Sequence, residues 1–572
     1  MERLPNASRI SSPPSPLLHH KSTEWMGCRS ECWNLTPNGL CTHFINHAAT
    51  PLEYRVWKTH ESPKKAILLL RHPKDVQSRK MDPGNLSQLF CASSLDPSLK
   101  KLRLHLVTWN VGTAFPPQDA DHLLQLDMPM DMYVIGLQEV NCKMINLLSE
   151  FVFDDPWSLF FMDVLSPLGY VKVVSIRMQG LMLLVFVKHL HIPFIQDICT
   201  NYTRTGLYGY WGNKGGVTIR MSVYGHTVCF MNCHLPAHME NANQRLEDFE
   251  RILEVQQFEG QSVPDILDHD VLFWFGDLNF RIADHGIHFV RETINKSQFC
   301  LLWEKDQLNL AKKKEAILQG FMEGPLLFKP TYKFDLHSDT YDTRGKKTLF
   351  GFNEKKRKPA WTDRILWKLK NVSQVSSEDK KTEEDPVFTV TLNDYISHMC
   401  YGISDHKPVT GTFMLQLESL VSTPLITLKP IGEWSADEDS LVIYSAVPDF
   451  PSNIWDWIGL YKVAFKHIYD YVTFAWAKDN EIYSSGNVKQ VYINAEEIPR
   501  DGGKFVLCYY CHSMQSLAGI SQPFQIEPAQ PLEERKVLVE NLRESDDRSE
   551  RKKTDALYSS RARSMTKGVL LS

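Results

Sequence analysis

The chain has 572 residues, room for two or three domains, and with 43% hydrophobic and 23% charged residues most of it is able to build cores. Its net charge of −5 excludes a protein coated in positive potential for nucleic acid, although a local basic patch stays open. Twelve cysteines without framework spacing point to reduced thiols in the cytosol, and no window reaches the roughly 18 apolar residues of a membrane span, so any membrane contact is expected to be peripheral.

Residues 1 to about 100 are rich in Pro, Ser, Asn and His without a sustained hydrophobic period and are expected to be mostly disordered. Leu4, Pro5 and Asn6 lead into Ser and Pro rather than a signal-peptide core, and the strongest early run, Ala66 to Leu70, is far too short to cross a bilayer. Cys28, Cys32, Cys41 and His43 lie close together, but no second pair follows at zinc-site spacing, so the cluster reads as chance.

From Leu102 the texture changes. LHLVTWNVG (104–112), DMYVIGLQEV (131–140), GLMLLVFVKHL (180–190), GGVTIRMSVYGHTVCFMNCHL (215–235), DVLFWFGDLN (270–279) and DRILWKL (363–369) are short, β-rich apolar runs, the pattern of buried strands. Between them NANQRLEDFERILEVQQF (241–258) spaces Leu246, Phe249, Ile252, Leu253 and Val255 at roughly helical period behind asparagine caps. Mixed strands and helices predict an α+β or α/β layered domain over about 101–418. The charged stretch SSEDKKTEED within 370–390 reads as an exposed loop. From 425 to 528 the texture is all β: seven short runs separated by Asp, Gly, Pro and Ser fit a β-sandwich. Residues 529–572 read as a disordered tail.

Polar residues stand just off the apolar runs: Asn110, Glu139, Asn232, His234, Asp277 and Asn279 where runs end, Asp363 at the start of DRILW, and Asp405 and His406 in GISDHKP. Each alone reads as a turn residue or a strand cap. Strand ends are also where a layered domain points side chains into a shared cleft. In FGDLNFR (275–281), Gly276 would allow a close approach or a tight bend, and Asp277 and Asn279, two apart, would leave a strand on one face. Carboxylate and amide oxygens are hard donors that suit Mg²⁺, and no Ser–His or Cys–His nucleophile pair accompanies them. The inventory fits metal-assisted hydrolysis of a phosphate ester by water. HLPAH (234–238) is no helical zinc motif, because it lacks the glutamate and Pro236 breaks the helix. Lys355, Lys356, Arg357 and Lys358 form a basic run directly before PAWTDR; such runs are commonly solvated loops, and its place beside a site motif favours a phosphate contact.

FGDLNFR and PAWTDRIL (359–366), with TWNVG, GLQEV, YGYWGNKGGV, NCHLPAH, PTYKFD and SDHKPV in order, resemble the signature motifs of the inositol polyphosphate 5-phosphatases over roughly 102–418. The resemblance implies a DNase I-like four-layer α/β/β/α sandwich. WDWIGLYK (455–462) and its surroundings resemble the SKICH domain, an all-β immunoglobulin-like sandwich. By the same resemblance Glu139, Asn110 and Asp405 would hold Mg²⁺. Asp277 would orient and deprotonate the attacking water, with Asn279 holding that water or a phosphate oxygen. His406, its ring fixed by Asp363, would contact the scissile phosphate, as would His234. Tyr332, Lys333, Lys355 and Arg357 would bind a 4-phosphate, Lys214 would lie near a 1-phosphate, and Asn232 joins the substrate-binding set. GKKTLFGFNE (345–354) reads as an insertion that bears on the position of Lys355 relative to Tyr332. Tyr208, Tyr210 and Trp211 are candidates for touching acyl chains, with core packing as the alternative.

The implied substrates are PI(4,5)P2, PI(3,4,5)P3 and soluble inositol phosphates, and the implied effect is down-regulation of phosphoinositide signalling. The implied partners are phosphoinositide lipids at a membrane surface and proteins bound through the C-terminal domain, with no nucleic acid and no transmembrane segment. The implied location is cytoplasmic, peripheral to the endoplasmic reticulum and plasma membrane. A nuclease of the same fold superfamily and a targeting scaffold with dispensable catalysis are the competing readings. Cys508 and Cys511 (CYYC) lie on a predicted strand with no helix following, which argues against a redox motif.

Overall fold

The computed structural model describes residues 99–141, 155–206, 211–258, 260, 263–343, 356–370, 388–418, 420–478, 482–483 and 488–529. Outside them lie the N-terminal extension with its Cys28–His43 cluster, Tyr208, Tyr210, Lys355, the 345–354 segment, most of the 370–390 loop and nearly all of the tail.

Strands in chain order are β1 (Leu99–Asn110), β2 (Met132–Gln138), β3 (Tyr170–Met178), β4 (Leu181–Lys188), β5 (Ile195–Gly206), β6 (Trp211–Val223), β7 (His226–His234), β8 (Val271–Asp277), β9 (Met322–Glu323), β10 (Asp363–Leu369), β11 (Thr389–Ser397) and β12 (Val409–Glu418). They form two six-stranded sheets, β11-β12-β1-β2-β4-β3 and β5-β6-β7-β8-β10-β9.

The sheets face each other, and the helices lie outside. On β8, Val271, Phe273 and Phe275 point into the core between the sheets, while Leu272 and Trp274 point to the outer layer. There they meet α2 (Ala242–Val255), whose Phe249 stacks on Trp274 at 3.7 Å. On β2, Met132 and Val134 face inward and Tyr133, Ile135 and Leu137 face α1 (Pro156–Leu165). Strands covered on both faces read as continuous apolar runs, which is why VLFWF does not alternate. The layers are therefore α/β/β/α. One expectation changes in detail: Asn241 precedes α2 but makes no side-chain cap, its Nδ2 donating instead to Ala237 O at 2.7 Å.

Pairing directions decide where polar residues meet. β1 and β2 run parallel, as do β7 and β8, so their C-terminal ends lie at one pole. β10 runs antiparallel to β8 with Asp363 opposite Asp277, and β12 runs antiparallel to β1 with Val409 opposite Thr108. The start of β10 and the loop preceding β12 thus arrive at the same pole.

The C-terminal part is all β. Strands β13 (Ile426–Ile431), β14 (Trp434–Ser435), β15 (Ser440–Ala446), β16 (Trp457–Lys462), β17 (Tyr471–Trp476), β18 (Ile482–Tyr483), β19 (Val488–Ile493), β20 (Gly503–Cys511), β21 (Ser516–Ile520) and β22 (Phe524–Glu527) make two sheets, β13-β15-β19-β18 and β14-β22-β20-β16-β17, with β21 beside β20. Ile458, Leu460, Leu507 and Tyr509 face the core between these sheets. Trp457, Tyr461, Val506 and Cys508 face the other way and join the core of the first domain. Cys508 and Cys511 point to opposite faces of β20 and are free thiols. The two domains touch through Phe465 on His189 (5.1 Å between rings), through Lys172 N–H donating to Lys466 O (2.9 Å) and through Ile198 N–H donating to Met514 O (3.1 Å). These contacts lie at the start of β3 and β5, the pole opposite the converging polar ends.

Candidate active site

Asp277 is the last residue of β8 and is 1% exposed, so its charge must be met by protein groups. Its Oδ2 accepts a hydrogen bond from Asn110 Nδ2 at 3.0 Å and lies 3.3 Å from His234 Nε2 and 3.9 Å from His406 Nε2. Burial alone would raise its pKa. The His406 imidazolium, the hydrogen bond from His234 and the Lys214 ammonium outweigh burial and hold the carboxyl well below the usual range. The backbone beneath is tight: Gly276 has φ 138°, and a Cβ there would lie 2.0 Å from Cys233 O on the neighbouring strand. Only glycine lets β7 and β8 close to this distance.

His406 has a carboxylate on either side. Its Nδ1 donates to Asp363 Oδ2 at 3.0 Å, and Asp363 Oδ2 also accepts from Thr331 Oγ1 (2.6 Å) and Thr362 Oγ1 (2.9 Å). Trp109 Nε1 donates to the His406 carbonyl at 3.2 Å. Burial disfavours the imidazolium, but Asp363 and Asp277 overcome it and raise the His406 pKa to about 9. His234 is the opposite case: burial and the nearby Lys214 ammonium lower its pKa, with Asp277 opposing them. Lys214 contacts His234 Nε2 directly, and burial lowers its own pKa to about 8.

Glu139 sits just past β2 with φ 55°, its carboxylate half exposed and 3.8 Å from His234 Nε2. Asn110 Oδ1 accepts from Gly112 N–H at 3.1 Å. A Cβ on Gly112 (φ 53°) would lie 3.2 Å from Ser404 Oγ and 3.7 Å from Asp405 Oδ1, so the turn after β1 is drawn against the Ser404–Asp405 loop. Ser404 Oγ donates to Asn110 O at 2.7 Å, completing that contact. Two carboxylates and an amide oxygen brought to one rim are a donor set for a hard divalent cation. Asp277, Asp363 and His406 also bring ligand atoms within 4.8 Å of one another, but a cationic imidazole already joins those two carboxylates.

Lys333 Nζ pairs with Asp405 Oδ2 at 2.8 Å. Burial works against the ammonium, yet the Asp405 carboxylate raises its pKa. The Tyr332 ring lies 4.5 Å from the His406 ring, and the Arg281 guanidinium covers it, also at 4.5 Å. Arg357 N–H donates to Asp342 Oδ2 (2.7 Å), and Asp342 N–H donates to Lys333 O (2.9 Å), which ties Arg357 to this side of the cleft. Its guanidinium faces His238 Nδ1 at 3.4 Å, and Lys358 Nζ donates to His285 O at 2.7 Å.

Two expectations change. Asn232 is wholly buried and its amide is spent: Nδ2 donates to Leu137 O (3.1 Å) and Met182 O (2.9 Å), and Oδ1 accepts from Gln138 Nε2 (2.7 Å). It braces the two sheets beneath the site and has no hydrogen left for a substrate. Asn279 does not share a strand face with Asp277, because β8 ends at Asp277 and Asn279 takes a left-handed φ of 56°. Its Nδ2 donates to Leu235 O at 3.1 Å and its Oδ1 accepts from Arg281. Its backbone N–H lies 3.2 Å from Asp277 Oδ1.

Arg281 and Arg245 went unassigned from the sequence. Arg281 stands at the end of FGDLNFR, a cation two residues past an amide, and that adjacency was the available signal. Arg245 is fully buried within an amphipathic helix and donates to Pro236 O (2.9 Å) and His238 O (2.7 Å), a role with no local signature.

The profile of the Endonuclease/Exonuclease/phosphatase family 2 matches residues 107–412, and that of the SKICH domain matches 426–526. The chain is 54% identical over 451 residues to inositol polyphosphate 5-phosphatase K of Mus musculus, covering 78% of this chain and 94% of that one. It is 48% identical over 441 residues to phosphatidylinositol 4,5-bisphosphate 5-phosphatase A of Rattus norvegicus, covering 76% of this chain and 43% of that one. A solved synaptojanin 5-phosphatase domain, in complex with inositol (1,4)-bisphosphate and calcium ion, aligns at 27% identity and TM-score 0.45, covering 56% of this chain and 86% of that one.

Proposed function

The chain belongs to the inositol polyphosphate 5-phosphatase family, phosphoric monoester hydrolases, and carries a SKICH domain; on that premise we propose that it removes the 5-phosphate from PI(4,5)P2, PI(3,4,5)P3 and soluble inositol polyphosphates, with magnesium as its cation. The observation that carries the reading is Asp277, a buried carboxylate with Asn110 at 3.0 Å, His234 at 3.3 Å and His406 at 3.9 Å. Asp277 orients the attacking water through a carboxylate too acidic to remove its proton early, so the proton leaves as the P–O bond forms. His406, cationic at neutral pH, neutralises the scissile phosphate, and His234 contacts it from the other side. Asn279 holds the Asp277 carboxylate through its backbone N–H.

Glu139, Asn110 and Asp405 are the residues that would hold Mg²⁺. When bound, the ion supplies charge neutralisation at the phosphoryl oxygens and a more acidic water. Most of the rate enhancement then comes from positioning and from fixed charge. Tyr332, Lys333, Lys355 and Arg357 recognise a 4-phosphate and Lys214 a 1-phosphate, with arginine suited to bidentate contact. The domain limits follow the texture of the chain, with the catalytic domain over 101–418 and the SKICH-like sandwich over 425–528. No helix among the described residues is long and apolar enough to cross a membrane. We place the protein in the cytoplasm, peripheral to the endoplasmic reticulum and plasma membrane, with the SKICH domain as the site of protein partners.

The test is phosphate release from a phosphoinositide panel and from soluble inositol phosphates, with Mg²⁺ and with chelator. Release restricted to substrates bearing a 5-phosphate, lost with chelator and restored by Mg²⁺, is the expected result. Activity unchanged by chelator would refute the metal assignment. Cleavage of DNA instead would favour a nuclease.

A further inference from the structure

The loops that follow β7 and β8 begin directly after His234 and Asp277, and the helix formed by Gln307–Lys314 lies behind both. Its first residue, Gln307, turns its side-chain amide and its N–H toward them and toward Arg245 of α2. Gln307 Oε1 accepts from Arg281 N–H (2.9 Å) and from Arg245 Nη2 (2.6 Å), and Gln307 Nε2 donates to Met239 O (3.0 Å). Gln307 N–H donates to Arg281 O at 2.9 Å, so Arg281 is held at both its backbone groups. Through Arg245 the same side chain reaches Pro236 O and His238 O. Through Arg281 it reaches Asn279, whose Nδ2 donates to Leu235 O and so closes the ring between the two loops. The preceding residue, Asp306, caps this helix at Asn309 N–H and pairs with Arg364 at 3.0 Å, next to Asp363 on β10.

We propose that Gln307 is a positioning residue that locks the loop after His234 to the loop after Asp277 through the guanidinium of Arg245 and the backbone of Arg281. The proposal rests on the functional reading above for what the two loops do, and on the hydrogen bonds alone for how they are held. A buried donor that loses its acceptor, whether the Arg245 guanidinium or the Arg281 backbone N–H, is left unsatisfied and seeks another partner, moving the segment it holds. Small displacements near reacting groups cost far more in turnover than in substrate binding.

The decisive comparison is Gln307→Met against Gln307→Glu in the full chain. Methionine keeps the shape and loses every hydrogen bond of the side chain. Glutamate keeps the acceptor for Arg245 and Arg281 and exchanges the donor to Met239 for a carboxylate oxygen. We expect Gln307→Met to lower kcat about tenfold or more with KM changed less than about threefold, and Gln307→Glu to stay within about threefold of the parent. Hydrogen-exchange mass spectrometry reads the coupling without turnover. In Gln307→Met, peptides spanning 235–240 and 277–283 should exchange faster together, with β15 and β19 unchanged; in Gln307→Glu they should not. If Gln307→Met does not fold, Gln307→Asn, which withdraws the same amide by one methylene, replaces it in both measurements. Equal kcat for the two variants, or exchange confined to one loop, would overturn the proposal. A parent protein that releases no phosphate would instead refute the functional reading and leave the exchange result to decide this one.

Discussion

Asp363 holds His406 from behind: its Oδ2 is 3.0 Å from His406 Nδ1, and two threonine hydroxyls fix that carboxylate in place. Asp277 meets the other nitrogen at 3.9 Å, so one imidazolium is shared by carboxylates from two neighbouring strands. With a folded pKa of about 9 against an ordinary 6.5, the ion pair stabilises the fold fully below about pH 6.5, and that contribution is lost as pH rises through about 9. In Asp363→Asn the imidazole gives up its proton at lower pH, so the alkaline limb of kcat/KM should move down by about one pH unit or more. The stability difference from the parent should be largest in mild acid and shrink toward pH 9. An alkaline limb that stays in place would mean that His406 does not set it.

Asp277→Asn tests the centre of the site. The amide preserves the size of the side chain while removing the charge that His234 and His406 face. Turnover should fall about 10²–10⁴-fold, the range over which a positioned base contributes, with the fold retained. Circular dichroism and a phosphate-release assay on one preparation check both halves. Near-normal turnover would place the water-orienting group elsewhere.

Much of this was legible in the sequence, for a physical reason. Strands such as β8 are covered on both faces, so their apolar runs stand out and a polar residue at either end is conspicuous, as Asn110, Glu139, His234 and Asp277 are where runs stop and Asp363 is where one starts. What was not legible depends on pairs far apart in the chain. Asn232 looks like its neighbours until Gln138, Leu137 and Met182 are seen to use its amide. Asn279 looks like a strand residue until φ turns positive. Trp457, Tyr461 and Val506 read as one face of a separate sandwich, because nothing local says that this face is covered by another domain.

Lys333 Nζ lies 2.8 Å from Asp405 Oδ2, so the ammonium and any cation held by Asp405 compete for that carboxylate. Lys333→Met should therefore raise KM about tenfold or more for substrates carrying a 4-phosphate, with a smaller change for those lacking it. The Mg²⁺ concentration giving half-maximal activity should stay the same or fall, because Asp405 is released. Equal KM changes for both substrate types would remove Lys333 from 4-phosphate recognition.

The join between the domains yields a prediction with an internal control. Phe465 is 1% exposed and its ring packs on His189 of the catalytic domain and on Tyr461 of its own. Phe465→Ala leaves a cavity where the two cores meet and should cost about 3–5 kcal/mol. Its neighbour Lys466 pairs with Asp163 at 2.7 Å, but both side chains are about half exposed or more (47% and 64%), so water screens the pair. Lys466→Ala should cost no more than about 1 kcal/mol. Calorimetry of the full chain separates the cases. If the domains share a core, Phe465→Ala lowers the melting temperature of the catalytic part as well as that of the sandwich, and Lys466→Ala moves neither by more than a degree or two. A catalytic transition unmoved by Phe465→Ala would mean that the two domains unfold independently despite the aromatic face between them.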